Sequence, residues 1–152
     1  MRSHLVKALD WGDAHARFEA AVKDFPAALR GKRVEGLPYS AWQLLEHLRI
    51  AQHDILDFSR NPKYKEVKWP DDYWPASAEP PDEKAWDRSV AAFRRDRRAL
   101  QKLAADPKVT LTKRIPHGGG QTYLREILLV VDHNAYHVAE LVMLRRLLGA
   151  WT

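Results

Sequence analysis

Leu128 to Gly149 reads LLVVDHNAYHVAELVMLRRLLG, and the reading of this stretch decides the fold. Leu129, Val130, Leu141, Leu144 and Leu148 fall within ~90° of His133 and His137 when the chain is wound at helical pitch. The segment therefore predicts one long amphipathic helix. Thr122 or Gln121 caps its start near residue 122, Leu148 ends it, and Gly149 is a natural stop. His133 and His137 interrupt the apolar stripe of this helix. Their four-residue spacing places two imidazoles on one face, ~6 Å apart and able to share one metal ion. Burying two such rings costs several kcal/mol unless each finds a partner.

Working outward, SAWQLLEHLRIAQHDIL (Ser40–Leu56) carries a second helix, expected over Ala41 to Ser59. Ser40 is its N-cap and Gln43 completes a capping box. Leu44, His47, Leu48, Ala51, Ile55 and Phe58 make its inner face, so His47 also points inward. A first helix is expected from Leu5 to Leu29 on the stripe Trp11, His15, Phe18, Val22, Phe25 and Leu29, with an end or kink near Pro26. A third runs from Asp82 to Ala104 on Trp86, Val90, Phe93, Arg97 and Leu100. Three core-facing histidines on two helices can make a three-nitrogen site with open positions, the layout of a catalytic metal. Core histidines bonded to backbone carbonyls or carboxylates are the other reading of the same pattern.

The connections suggest a topology. A loop of about ten residues between the first two helices suits antiparallel neighbours. Asn61 to Pro81 joins the second and third helices and holds five prolines among Tyr64, Trp69, Tyr73 and Trp74. A link of roughly twenty residues can travel the length of a bundle and re-enter at the same end. The expected fold is all-α, an up-down-down-up four-helix bundle with a long crossover between helices two and three. No sustained alternation of period two argues for a sheet.

Composition narrows the function. The chain has 152 residues, 45% hydrophobic and 30% charged, which suits one globular domain over residues 1–152. It has no cysteine, so disulfides, thiolate metal sites and an endogenous thiol nucleophile are excluded. No uninterrupted apolar run is long enough to span a membrane and no secretory leader is evident, so a cytoplasmic location is expected. The net charge of +5 (25 basic, 20 acidic) serves solubility. Arg94, Arg95, Arg97 and Arg98 are interspersed with acids and fit no nucleic-acid module, so no nucleic-acid partner is expected.

These two histidine-bearing stretches resemble the DinB/YfiT-like superfamily of metal-binding four-helix bundles, over nearly the whole chain. The resemblance implies that His47, His133 and His137 bind a divalent metal ion, nickel or zinc, and that the protein forms homodimers. It also implies enzymatic classes: hydrolases, or S-transferases that use a low-molecular-weight thiol as cosubstrate. The expected function is thus a metal-dependent enzyme acting on a small molecule, with a non-catalytic metal- or ligand-binding bundle as the alternative.

Further candidates surround this set. His15 lies on the stripe of the first helix as a possible base or fourth ligand. Glu140 and Glu126 share the histidine face and can orient an imidazole or pair with Arg97. Arg97 interrupts its own apolar stripe and can bind a carboxylate or an anionic substrate. His117 sits in Pro-His-Gly-Gly-Gly, a flexible turn or a gate over a substrate. Asp132, Asn134 and Tyr136 turn to other faces, and His53 faces solvent or an interface. The Trp69–Trp74 segment packs on the body or rims the metal mouth.

Overall fold

The computed structural model describes residues 1–151, and its long helices begin at the expected caps. The Ser40 hydroxyl accepts from the Gln43 amide at 3.2 Å while the Gln43 side chain accepts from the Ser40 amide at 3.2 Å, a complete capping box. Thr122 caps the last helix through the Arg125 amide at 3.2 Å. The helices are α1 (Arg2–Ala8), α2 (Phe18–Val22), α3 (Ala41–Arg60), α4 (Ala85–Ala105) and α5 (Tyr123–Leu147). Single 3₁₀ turns occupy Ala27–Leu29 and Asp71–Tyr73. No strand occurs among the described residues; Arg114 and Thr122 form an isolated antiparallel bridge.

The helix expected from Leu5 to Leu29, with an end or kink near Pro26, is corrected: it is two short helices, α1 and α2, separated by residues 9–17, the second ending shortly before Pro26. Two local causes are visible. Gly12 lies under the Arg17 side chain, where a Cβ would come within 2.3 Å of Arg17 Nε. Glycine in a helix interior also costs about 1 kcal/mol relative to alanine. Downstream, Asp24 adopts the left-handed region at φ 50°, ending α2 before Pro26. Trp11 and His15 consequently leave the core and are exposed.

Arg97 spans this break. Its Nη1 donates to Asp10 at 2.8 Å and its Nη2 to Glu19 at 2.9 Å, joining the end of α1 to the start of α2. Arg94 also holds Glu19. Burial pushes the Glu19 carboxyl up, but the Arg94 and Arg97 guanidiniums outweigh it and keep it below the ordinary range. Arg97 is therefore structural, and neither Glu126 nor Glu140 is its partner.

α3 packs against both α4 and α5, and α1 lies on α4. Contacts between α3 and α4 advance together along both helices, Gln52 to Phe93 and His53 to Asp96. Those between α3 and α5 run oppositely, His47 to His137 and Gln52 to Asn134. Those between α1 and α4 also run oppositely, Arg2 to Ala104 and Val6 to Gln101.

The apolar interior is split in two. One cluster includes Phe18, Phe25, Leu45, Leu48, Trp86, Phe93, Leu141 and Leu144; the other includes Leu5, Ile55, Leu100, Ile127 and Val130. Between them lies a polar layer. Gln52 Nε2 donates to the Phe93 carbonyl at 2.8 Å, and Asn134 Nδ2 donates to Gln52 Oε1 at 3.0 Å. Asn134 is thus buried in this layer, on a different face of α5 from the histidines' shared point.

α5 is long and apolar enough to cross a membrane by length and composition. Its apolar run is nevertheless interrupted by His133, His137 and Glu140. α5 buries Ile127, Val130, Val138 and Leu141 in the interior.

Ser40 ties α3 to the crossover as well, since its hydroxyl donates to the Ala78 carbonyl. Ser40→Ala is expected to lower stability by about 1–2 kcal/mol, as loss of the cap adds to loss of that bond. Urea denaturation measures it, and an unchanged midpoint counts against the cap.

Candidate metal centre

α3 and α5 bring His47, His133 and His137 to one point. His47 Nε2 stands 3.1 Å from His137 Nε2 and 3.0 Å from His133 Nε2. The ligand atoms of all three lie within 4.8 Å of one another. His47 is almost wholly buried, and the other two are partly covered.

Partners on the far side of two rings set their tautomers. His47 Nδ1 meets the Tyr73 carbonyl at 3.0 Å, and a carbonyl only accepts, so Nδ1 carries the proton. His137 Nδ1 donates to the Glu140 carboxylate at 2.6 Å. In the neutral rings both Nε2 atoms are then bare lone pairs, facing each other across 3.1 Å. Two lone pairs at that range repel unless a cation lies between them. His133 adds a third nitrogen at the same point, and its buried Nδ1 has no partner.

This donor set fits a divalent ion. Ligands each ~2.0–2.1 Å from one ion lie about 3.0–3.4 Å apart, close to the spacing here. Neutral imidazoles held by an outer acceptor are the usual ligand form. Burial lowers His47 to about 4, opposed by the Tyr73 carbonyl and assisted by the charge of His137. His133 is also lowered to about 4, by burial first and then by the charges of His137 and His47.

The crossover braces the site. Trp74 stacks on His47 with ring centroids 3.7 Å apart and planes within 3°, and on its other face lies Tyr39 at 3.6 Å. Gln43 Nε2 fastens the Pro75 carbonyl at 3.1 Å. Further along α3, Asp54 accepts from Tyr64 Oη at 2.7 Å and Tyr73 Oη at 2.6 Å. Burial first, and then hydrogen bonding to Asp54 and its charge, push both phenols well above their ordinary range.

The three histidines open on a cavity of about 630 Å³ that Asp54, Tyr64, Glu66, Trp69, Tyr73, Arg125 and Glu126 also line. His117 and Gly118 form part of its border. His117 Nε2 donates to the Phe58 carbonyl at 2.7 Å, anchoring the glycine-rich loop to the end of α3. A Cβ on Gly118 would come within 2.8 Å of Phe58 Cζ, so glycine is what permits this approach.

A family model described as the DinB superfamily matches residues 11–141. The chain belongs to the DinB superfamily. Searches of the curated proteins and of the solved structures each returned no match.

In this DinB-superfamily chain the sequence-derived candidates separate into two places. His47, His133 and His137 come together, Glu140 stands behind His137, and His117 borders the same cavity. His15 and Arg97 instead line a different, smaller cavity of about 170 Å³ with Trp11 and Phe93. Glu126 is buried and paired with Arg125 at 2.7 Å. His53 meets Asp96 at 2.9 Å with more than half of its side chain exposed. The sequence reading missed Asp54, although its position seven residues beyond His47 puts it on the same helical face. It also missed Tyr64 and Tyr73 as a pair, because an irregular segment gives no periodicity from which to read its contacts.

The titration sign is definite for metal-free protein. His47 and His133 bind protons near 6.5 when unfolded and near about 4 when folded. Acid therefore favours unfolding between these values: their neutral-ring contribution is intact above 6.5 and declines as pH falls toward about 4. The melting temperature of chelator-treated protein is expected to drop through this window, and less steeply in His133→Phe. Parallel profiles for the two proteins would contradict the assignment.

Proposed function

We propose that this protein is a metal-dependent enzyme in which His47, His133 and His137 hold one divalent ion, nickel or zinc, and that it acts on a small molecule as a hydrolase or as a low-molecular-weight-thiol S-transferase. The observation that carries the reading is the meeting of bare Nε2 lone pairs at the edge of an accessible cavity. A bound divalent ion would supply Lewis acidity there, activating water or a thiol or polarising a carbonyl. With no cysteine in the chain, a thiol nucleophile has to arrive as cosubstrate.

The chain's own residues prepare that chemistry. The Tyr73 carbonyl and the Glu140 carboxylate hold protons on the outer nitrogens of His47 and His137, which turns the inner nitrogens toward the shared point. Trp74 fixes the plane of His47 by stacking. Glu140 is a positioning residue in this scheme. His15 and Arg97, at the other cavity, take no part in it.

A non-catalytic metal- or ligand-binding bundle is the second reading. What favours it is that Asp54 and Glu126, the buried carboxylates of the cavity, are already engaged by tyrosines and an arginine. Turnover with esters, amides and thiol–electrophile pairs, with His47→Ala as control, separates the two.

The up-down-down-up arrangement belongs to the same proposal. It is supported by the parallel advance of α3 and α4 contacts and the opposite sense of α1–α4 and α3–α5 contacts. We also read residues 1–152 as one domain and the protein as a homodimer. Exposed Leu128, Tyr136, Met143 and Leu147 on α5 support the homodimer.

Protein purified without a histidine tag is expected to carry about one divalent ion per chain. Replacing His133 and His137 by Ala should abolish this and lower the melting temperature. Elemental analysis with calorimetry checks both, and unchanged metal content and melting would overturn the metal reading. Glu140→Ala should weaken metal affinity about 10- to 100-fold by releasing the His137 tautomer. Competition with a chelating dye measures it, and wild-type affinity would deny Glu140 that role.

A further inference from the structure

The buried acids of this protein follow a pattern with one exception. Glu46, Asp54, Asp96 and Glu126 are the buried carboxylates among the described residues. Glu46 is paired with Arg49, Asp96 with Arg95 and Glu126 with Arg125. Asp54 keeps only 9% of its surface, yet its hydrogen-bond partners are two neutral phenols, Tyr64 and Tyr73. A carboxylate withdrawn from water without a countercharge is costly, and neutral donors offset that cost only in part.

Asp54 and Glu126 both line the histidine cavity with their partners, and of the two Asp54 is the one whose hydrogen-bond partners are neutral. Each phenol has a single proton, and Asp54 takes both, so the tyrosine oxygens have only lone pairs left to offer. A carboxylate has room for about four donors, of which two are supplied. Glu66 adds an exposed carboxylate to the lining. Of the donors nearby, His117 Nε2 is committed to Phe58, and Arg125 places one N–H of its guanidinium, and its charge, on Glu126. Trp69, largely exposed, stands edge-on to Tyr73 with centroids 5.2 Å apart and gives aromatic surface beside the acid. This part of the cavity therefore offers lone pairs, negative charge and aromatic surface, in a chain whose net charge is +5.

We propose that the small molecule taken by this cavity carries a protonated amine, which seats on Asp54 beside the Tyr64 and Tyr73 oxygens while its other end extends to the three histidines. An ammonium group supplies both things Asp54 lacks, a positive charge and N–H donors. The proposal rests on the reading of the histidine cavity as the functional site, and it names the substrate class for that site: small primary or secondary amines and their derivatives.

Benzylamine, benzyl alcohol and benzoate share one aromatic body and differ in the charge of the polar end. Each is titrated at neutral pH into the protein as purified and after chelation, with binding followed by calorimetry and by NMR shifts at Tyr64 and Tyr73. The amine is expected to bind at least about tenfold more tightly than the other two, the scale of a charge-assisted hydrogen bond. That preference should survive chelation, where no ion can capture the amine. Asp54→Asn should remove it, bringing the amine's affinity down to that of benzyl alcohol. Glu66→Gln, at an exposed position without a side-chain hydrogen bond or ion pair, should weaken amine binding about two- to threefold, and added salt should weaken it too.

Equal or tighter binding of benzoate, or an amine affinity unchanged in folded Asp54→Asn, overturns the proposal. Should Asp54→Asn fail to fold, the ranking of the three probes on the wild type and the Glu66→Gln result decide it. Metal content measured on the same samples keeps the two claims apart. An amine preference in a protein that carries no metal as purified overturns only the metal reading, and benzoate preferred by a metal-loaded protein overturns only the amine.

Discussion

Lone pairs that face one another across about 3 Å are the constraint around which the rest of this structure is organised. Left alone they would drive the rings apart. Here the rings are held from outside: the Tyr73 carbonyl and Glu140 grip the outer nitrogens, Trp74 lies flat against His47, and the neighbouring apolar side chains exclude water. Removing solvent from two of the rings keeps them neutral, which preserves them as donors to a cation. Burial, tautomer and convergence thus express a single requirement.

The crossover between α3 and α4 meets part of that requirement. It runs back along α3 through Ser40 with Ala78, Gln43 with Pro75, His47 with Tyr73, and Asp54 with Tyr64 and Tyr73. Prolines deny this stretch a ladder of its own, so its backbone carbonyls are free to accept from the helix beside it. The aromatic residues give it the apolar area to stay there. An irregular segment has in this way become a wall of the cavity and a support for one of its ligand-type side chains.

Much of this was legible in advance because it is local. Helical periodicity, the Ser40–Gln43 box and the four-residue spacing of His133 and His137 depend on neighbours a turn or two away, and the structure bears out the caps and brings the three histidines together. The extent of the first helix was not legible. Part of its apolar stripe is in the core, but Trp11 and His15 fall in the interruption, where Gly12 weakens the helix and the backbone turns aside in a way that no periodicity encodes. The same holds for Asp54. Its place on the His47 face could be read, whereas its two tyrosine partners come from a segment without periodic structure. Arg97 was visible as an oddity, yet its partners at Asp10 and Glu19 became available only because the helix between them is interrupted.

The amide chain from Asn134 through Gln52 to the Phe93 carbonyl has a consequence beyond satisfying buried polar atoms. Leucine and valine faces carry no directional bonds, so apolar packing by itself marks one register less sharply than a hydrogen bond does. Asn134 and Gln52 tolerate no slip, since a one-turn ratchet would leave both amides facing hydrocarbon. They act as a registration pin between α3 and α5, set one residue from His133 and five from His47. Precision at the imidazoles is therefore guarded by two side chains that carry none of the chemistry.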